Sequence, residues 1–238
     1  MTDDPDPAGR TQRYANLATL EHGRHGARYF PGAVTDSLAD LRTMADALPS
    51  DRAGVRIVAR RDLRLQLAPG CPIPAVAATV LGPACRAVRA ILFDKTAAAN
   101  WSLAWHQDRT ICVKREIAVP GYGPWTVKAG MQHVAPPFDL LGRMVTLRVH
   151  LDDVPATNAP LLIALGSHRL GPTAVGAIDE VVGRCRQRAC LAEAGDIWLY
   201  ATAILHASER AAIPTRRRVL QIDFAAESLP GGLEWLGV

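Results

Sequence analysis

The chain begins with a polar stretch without a clear period and continues with two helical patterns of apolar residues. Residues 1–33 are interrupted by glycine and proline and predict irregular structure. Over residues 35–48 the apolar positions recur on one helical face, behind a threonine or aspartate suited to cap the helix. A second, uniformly apolar helix is predicted over residues 73–82, between proline and Gly-Pro.

Beyond residue 86 the pattern changes to short segments rich in β-branched and aliphatic residues, separated by proline, glycine or asparagine. The predicted strands are 86–94, 110–118, 143–151, 161–165, 196–201 and 217–225. A helical insertion near 177–187 interrupts them, and neither a βαβ rhythm nor an internal repeat is present. The pattern predicts a mainly β protein whose jelly-roll core, residues 86–226, carries flanking helices. Because no linker divides residues 1–238, we expect a single domain.

Composition favours a globular protein without a membrane span. Hydrophobic residues make up 49% and charged residues 21% of the chain, and no apolar run approaches the roughly 18 residues that a spanning helix needs. The first residues, MTDDPDPAGR, are acidic and resemble neither a secretory signal nor a transit peptide, so a cytoplasmic location is expected. The five cysteines lack a CxxC pair, which favours reduced thiols over disulfides or structural zinc.

The formal net charge is +4, and all but three of the 27 basic residues are arginine. These residues are spread along the chain and form no stripe with interleaved aromatic residues. Nucleic acid and membrane are therefore not expected as partners, and a small molecule is the expected ligand. The sequence gives no indication of oligomeric state.

Two of the seven histidines begin a His-x-Asp triplet, His106-Gln107-Asp108 and His150-Leu151-Asp152. On a strand, residues i and i+2 share a face, so each triplet could grip one metal ion. A second histidine would complete the two-histidine, one-carboxylate triad of non-haem Fe(II) oxygenases. Local context favours the first triplet, which follows a loop and lies beside tryptophans. The second ends an apolar strand and enters a turn, where its aspartate suits a capping role.

Candidates for the second histidine are His133, His168 and His206. His206 follows a predicted strand and precedes the arginines at 216–218 by ten to twelve residues. A guanidinium suits the distal carboxylate of a 2-oxo diacid, because it donates two parallel hydrogen bonds. Strand alternation selects Arg217 as the arginine on the polar face. The alternative interpretation is a solvated basic turn.

Five segments resemble the phytanoyl-CoA dioxygenase family, which also includes the ectoine hydroxylases. They are WHQD at 105–108, NAPLLIALGSH at 158–168, GDIWLY at 195–200, HAS at 206–208 and RRRVLQIDF at 216–224. They follow one another in the family's order within residues 86–235. The resemblance implies a double-stranded β-helix that uses Fe(II), 2-oxoglutarate and O2.

By position, the resemblance implies three catalytic iron ligands: His106, Asp108 and His206. It further implies that Arg217 clamps the distal carboxylate of 2-oxoglutarate with help from Ser208, and that Arg148 is an additional contact. The family's usual Asn-Gly-Pro turn is Asn-Ala-Pro here, with Ala159 in place of glycine. We expect this turn to lie away from the ligands. Halogenating relatives carry a small residue in place of the ligand aspartate, so the retained Asp108 argues against halogenation.

Residues 119–137 form a long stretch without a predicted element, which could line a substrate pocket. Candidate substrate contacts are Trp101, Lys128, Gln132 and His133, although packing explains the tryptophan equally well. The expected reaction is hydroxylation of a C–H bond in a small organic metabolite, with release of succinate and CO2. Two alternatives stay open: a binding protein that retains the triad without catalysis, and a nucleic-acid demethylase of the same chemistry. The sequence does not identify the substrate.

Overall fold

Thirteen strands in the described part of the chain form three antiparallel sheets. The structure is a computed structural model that describes residues 17, 19–50, 52 and 54–238. The strands are β1 (Ala27–Phe30), β2 (Val55–Ile57), β3 (Arg86–Lys95), β4 (Leu103–His106), β5 (Ile111–Val113), β6 (Trp125–Lys128), β7 (Met131–Val134), β8 (Val145–His150), β9 (Leu161–Ala164), β10 (Gln187–Cys190), β11 (Ile197–Ala201), β12 (His206–Ser208) and β13 (Arg217–Ala225).

Six short helices in the described part of the chain accompany the sheets. They are α1 (His22–His25), α2 (Leu38–Asp46), α3 (Arg61–Gln66), α4 (Pro72–Leu81), α5 (Phe138–Gly142) and α6 (Ile178–Arg184). Proline at the first position of α4 suits a helix start, where a backbone N–H has no partner to lose. None of the helices in the described residues is long and apolar enough to cross a membrane.

The two larger sheets face each other and confirm the predicted jelly-roll class. The six-stranded sheet has the order β1-β11-β8-β13-β3-β2, and the four-stranded sheet has the order β10-β9-β12-β4. The third sheet, β5-β7-β6, comes from the stretches around residues 111–134. Apolar side chains of β9 and β10 pack against Trp198 and Tyr200 on β11, which closes one side of the space between the large sheets.

Strand β13 shows how the sheet separates core from pocket. All nine of its residues are buried, because helices cover one face and the four-stranded sheet covers the other. Leu220, Ile222 and Phe224 belong to the cluster that includes α2 and α4. Arg217 and Gln221 alternate with them and therefore point to the inner face. This is the alternation that the sequence predicts.

Several predicted elements have other bounds in the structure. The helix over 35–48 is a 3-10 turn followed by α2, and the insertion near 177–187 holds α6 and then β10. The strand predicted over 110–118 ends at Val113, where charged residues leave the sheet. Within 1–33, predicted to be irregular, the described residues include α1 and β1; the acidic start of the chain lies outside the described residues. α1 and β1 have four residues each, too few to establish a period.

Candidate metal centre

His106, Asp108 and His206 lie together at the ends of two neighbouring strands. β4 pairs with β12 so that His106 lies opposite His206, and the centroids of the two imidazole rings are 4.1 Å apart. Asp108 follows β4 by two residues. One ligand atom from each residue lies within 4.8 Å of the others, and the described residues contain no second group of three or more such side chains. The first triplet therefore combines with His206 into a group that could hold a metal ion.

Backbone carbonyls orient both imidazoles. Nδ1 of His106 donates a hydrogen bond to the carbonyl of Ala104 at 2.8 Å, and Nδ1 of His206 donates to Ile204 at 3.0 Å. Each ring is left with Nε2 as its free lone pair, which is the usual arrangement of a metal-binding histidine. Burial lowers the pKa of His206 to about 4, although the charge of Asp108 opposes it. The imidazole is therefore neutral near pH 7, as metal ligation requires.

Arg89 connects Asp108 to a second buried carboxylate. Its terminal nitrogen lies 3.4 Å from Asp108, and its Nε donates to Asp223 at 2.5 Å. Asp223 also accepts a hydrogen bond from Thr146 at 3.0 Å. Burial acts to raise the pKa of Asp108, but the charge of Arg89 and the nearby histidines outweigh it, and the pKa is lowered. The Arg89 bridge thus holds an ionised Asp108 in one orientation.

Gln107, between the two ligands of the triplet, fixes the neighbouring chain segments. Its amide nitrogen donates to the carbonyls of Ala203 at 2.7 Å and Gly171 at 3.2 Å. Its amide oxygen accepts from the backbone of Thr173 at 3.1 Å. No sequence pattern indicated a role for this buried residue, and only the contacts identify it as a link between the triplet and the segment 171–173.

The second triplet does not assemble into a comparable group. Asp152 accepts hydrogen bonds from the backbone and the guanidinium of Arg218, at 2.8 Å and 2.7 Å. This agrees with the role at the turn that the sequence suggested. His150 is buried on the inner face of the large sheet, and neither of its ring nitrogens has a partner.

The two remaining histidine candidates lie in other surroundings. Nε2 of His133 is 2.9 Å from Sγ of Cys112, and its Nδ1 is 3.0 Å from the carbonyl of Met131. Both ring nitrogens are therefore occupied. His168 lies beside His22, with ring centroids 6.0 Å apart. Neither belongs to the group around Asp108.

Three buried cations lie on the inner face of the large sheet, next to the triad in the fold. Arg217 pairs with Lys95 across β13 and β3, and Gln221 pairs with Arg148 across β13 and β8. Their exposed fractions are 3% for Arg217, 0% for Lys95 and 6% for Arg148. In the described part of the chain, none of the three forms an ion pair with a carboxylate. We call these three residues the cationic pocket.

The two arginines of the cationic pocket have unused hydrogen-bond donors. Arg217 donates from Nη1 to the carbonyl of Ala159, and Arg148 donates from Nη1 to Gln221 at 2.9 Å. Nε of each arginine is buried without a partner, as are both nitrogens of His150. Buried donors without partners cost free energy, so the pocket is suited to receive a ligand with several acceptor oxygens.

Lys95 is a member of the cationic pocket that the sequence interpretation missed. Its Nζ donates to the carbonyls of Trp101 at 2.7 Å and Glu209 at 2.8 Å, and it lies 4.9 Å from the centroid of the Trp101 ring. Burial, followed by the charges of Arg217 and Arg148, lowers the pKa of Lys95 to about 8. Burial and Arg148 likewise lower the pKa of Arg217 to about 9. Both shifts reflect positive charge that lacks a counter-ion.

The turn at Ala159 contains no member of the candidate metal group, but it contacts Arg217 of the cationic pocket. Ala159 has φ of 49°, in the left-handed region where glycine is the usual residue. Its carbonyl accepts the hydrogen bond from Arg217. The side chain of Asn158 fixes the turn by donating to the hydroxyl of Thr215 at 2.7 Å.

The remaining predicted site residues have no buried polar atom that lacks a hydrogen-bond partner. Ser208 lies two residues after His206 on β12, and its hydroxyl donates to the carbonyl of Glu209 at 3.5 Å. Lys128 is exposed on β6, and Gln132 is half-buried on β7. The stretch 119–137 therefore contains a β-hairpin rather than a structureless loop.

A jelly roll that carries two histidines and one carboxylate on neighbouring strands is the architecture of non-haem iron oxygenases. The family model for phytanoyl-CoA dioxygenase (PhyH) matches residues 58–219, and the chain belongs to this family. The family uses Fe(II), 2-oxoglutarate and O2, so the chain is an Fe(II)/2-oxoglutarate-dependent enzyme.

Solved structures with the same fold include three proteins at low sequence identity. The α-ketoglutarate-dependent epimerase SnoN from nogalamycin biosynthesis is 18% identical, with a TM-score of 0.61 over 95% of this chain and 92% of its own. HygX from Streptomyces hygroscopicus, with nickel, 2-oxoglutarate and hygromycin B bound, is 16% identical, with a TM-score of 0.59 over 91% and 86%. EctD from S. alaskensis is 16% identical, with a TM-score of 0.60 over 100% and 83%. No curated protein matches the chain by sequence.

Alanine substitution should separate the two triplets. We expect His106→Ala, Asp108→Ala and His206→Ala each to weaken binding of Ni(II), a redox-stable probe, by more than about 100-fold, since each removes a direct ligand. His150→Ala should retain the native affinity. Calorimetric titration of the metal-free protein with Ni(II) measures the affinity of each variant. Loss of metal in His150→Ala together with native binding in His106→Ala would show that the other triplet holds the ion.

The Arg89 bridge should matter for folding even without metal. Arg89→Met leaves Asp223 buried without its partner, which should lower the free energy of unfolding by about 3 kcal/mol. Adding Asp223→Asn should recover part of this loss, because the amide carries no charge. The matched control is Arg143→Met, which removes an exposed pair with Glu227 and should cost under about 1 kcal/mol. Urea unfolding of the metal-free variants gives the comparison; equal costs for Arg89→Met and Arg143→Met would refute the bridge.

Proposed function

We propose that the protein is a dioxygenase that hydroxylates a C–H bond of a small organic metabolite. The observation that carries this proposal is the cationic pocket, which has no carboxylate partner among the described residues and lies in the same fold interior as the His106, Asp108 and His206 group. One end of 2-oxoglutarate is a metal chelator and the other is a carboxylate, so a single molecule would satisfy both sites.

The donor set fits Fe(II). Two neutral imidazoles with Nε2 free and one ionised carboxylate would hold the ion and leave positions for other ligands. When bound, Fe(II) together with 2-oxoglutarate supplies the activation of dioxygen. The contribution of the chain is to keep His106 and His206 in one tautomer through their carbonyl partners, and Asp108 in one orientation through Arg89.

The cationic pocket fits the distal carboxylate of 2-oxoglutarate. Arg217 would clamp it with a charge-assisted hydrogen bond, and Ser208 would assist from β12. Arg148 and Lys95 would add positive charge on the same inner face, where burial strengthens electrostatic attraction. The orphaned Nε of Arg217 and of Arg148 support this assignment, because each would gain an acceptor.

The proposed reaction combines the substrate R–H, O2 and 2-oxoglutarate to give R–OH, succinate and CO2. Hydroxylation requires from the protein only an oriented C–H bond. Epimerisation, the reaction in SnoN's name, also requires a residue that returns hydrogen to the opposite face of the carbon. The substrate would approach past the hairpin β6–β7, where Lys128 and Gln132 lie, and Trp101 lies against Lys95. The names of the solved relatives mention nogalamycin RO and hygromycin B, which supports a small organic substrate.

The direct test is a succinate-release screen with Fe(II), 2-oxoglutarate and candidate metabolites, followed by mass spectrometry of products made under ¹⁸O2. We expect substrate-dependent succinate and one ¹⁸O atom in the product. Succinate with an isomerised, unlabelled product would replace hydroxylation by epimerisation. Failure to bind 2-oxoglutarate would favour the non-catalytic binding protein, and turnover only with methylated nucleic acid would favour the demethylase.

Arg217 should determine the affinity for 2-oxoglutarate. Arg217→Met should weaken it by about 100-fold, since a hydrogen bond to a charged group contributes roughly 1.5–3 kcal/mol. The matched control is Arg216→Met, whose guanidinium pairs with Asp46 and Asp94 outside the pocket and should leave the affinity unchanged. Anaerobic calorimetry with the Fe(II)-loaded protein provides the values. If only Arg216→Met loses affinity for 2-oxoglutarate, the assignment of Arg217 to the inner face of β13 is wrong.

The affinity for 2-oxoglutarate should also fall as the pH rises past the pKa of Lys95. The lowered pKa of about 8 means that Lys95 is protonated near pH 7 and loses its charge above pH 8. Between pH 7 and 8.5 the affinity should therefore fall several-fold, by about a factor of four if only the charged amine binds. In Lys95→Met the affinity should be lower and nearly constant over this range. Lys114→Met, which alters an exposed pair, should keep the native profile, and an unchanged slope in Lys95→Met would contradict the role of Lys95.

A further inference from the structure

A second cluster of arginines lines a cleft between α1, the segment after β9, and β10. The cleft has a volume of about 410 Å³ and is lined in part by Arg24, Arg169, Arg186 and Arg188. Its other lining residues are Thr19, Leu20, His25 and Leu165, so among the described residues no carboxylate lines it. We call these four arginines and the space between them the arginine cleft.

The four guanidinium groups have no counter-ions. Within the described residues, none of them takes part in an ion pair or a side-chain hydrogen bond. Nε of Arg188 is in addition buried without any partner. By contrast, Arg184, only two residues before Arg186, binds Glu180. The cleft therefore concentrates positive charge that nothing in the described chain neutralises.

Backbone hydrogen bonds hold the contributing segments together. The amide of Leu165 donates to the carbonyl of Arg186 at 2.9 Å, and the amide of Gly166 donates to the carbonyl of His25 at 2.9 Å. Arg169 follows in the 3-10 turn Ser167–Leu170. The four arginines thus come from three segments whose backbones are fixed to one another, rather than from one run of charges along a surface strand.

The arginine cleft is separate from the metal centre. Arg188 pairs with Ile163, and Ile163 pairs with His206, so the three residues form one row across the four-stranded sheet. Two strand spacings place the Cα atoms of Arg188 and His206 roughly 10 Å apart. Ile163 lies between them and is fully buried in an apolar cluster. The residues that line the cleft include neither a candidate iron ligand nor a member of the cationic pocket.

We propose that the arginine cleft binds a small phosphate-bearing molecule at a site distinct from the 2-oxoglutarate pocket. The volume lies in the range of small-molecule sites, about 300–1,000 Å³. A phosphate group offers more charge and more acceptor oxygens than a single carboxylate, and guanidinium groups bind it in a bidentate manner. Four unpaired guanidinium groups accordingly select a phosphate over a monoanionic acid.

The test uses the full chain and calorimetric titration with inorganic phosphate, pyrophosphate and ribose 5-phosphate at constant ionic strength. The variant Arg186→Gln with Arg188→Gln should bind the preferred phosphate compound at least tenfold more weakly. The control, Arg143→Gln with Arg184→Gln, removes the same number of charges from exposed ion pairs and should bind as the native chain does. Preference for inorganic phosphate would identify a free-phosphate site, and preference for ribose 5-phosphate would identify a phosphorylated metabolite.

A short oligonucleotide is titrated in the same way. Three results would overturn the proposal: no saturable binding of any of the three phosphate compounds, equal loss of affinity in the two double variants, or binding of the oligonucleotide alone. Ni(II) and 2-oxoglutarate affinities should be unchanged in the Arg186→Gln, Arg188→Gln variant. That measurement shows that the variant is folded, and it separates failure of the cleft from failure of the iron site.

Discussion

The interior of this protein contains positive charge that no carboxylate of the described residues pairs with, and much of the structure follows from that constraint. Lys95, Arg148 and Arg217 are buried on one face of the large sheet. A buried charge without a partner costs several kcal/mol. Packing on the opposite face of the same strands offsets this cost, since apolar residues of β3, β8 and β13 join α2 and α4 in one cluster. A bound carboxylate would convert the same charge into binding free energy.

Strand geometry connects the charged face to the metal centre. Antiparallel pairing places His106 opposite His206 on one sheet and Arg217 opposite Lys95 on the other. Backbone carbonyls orient both imidazoles and Lys95, and the carbonyl of Ala159 orients Arg217. Asp108, which lies just beyond β4, depends on Arg89 for the same purpose. Contacts within the fold therefore orient these groups, which favours selective recognition.

The fold class and the grouping of the candidate site residues could be predicted because the local sequence patterns behind them are strong. Contacts between residues far apart in the sequence could not be predicted in this way. The alternation along β13 selected Arg217 over its two neighbours, because one face of that strand is uniformly apolar. The choice between the two triplets needed the family resemblance as well, since the spacing is identical in both. Lys95 and Arg89 escaped notice because their partners, Arg217 and Asp223, are more than a hundred residues away. The contact of Ala159 with Arg217 is likewise a product of the turn, which sequence alone does not position.

The central claim is that one ligand bridges the metal centre and the cationic pocket, so that both of its ends contribute to binding. Anaerobic titration of the Fe(II)-loaded native protein with 2-oxoglutarate and with 2-oxovalerate tests this directly, because the two acids share the chelating end and differ in a distal carboxylate or methyl group. We expect 2-oxoglutarate to bind about 100-fold more tightly or better, as loss of a charged hydrogen bond and burial of unpaired cations imply. Equal affinities for the two acids would contradict the account.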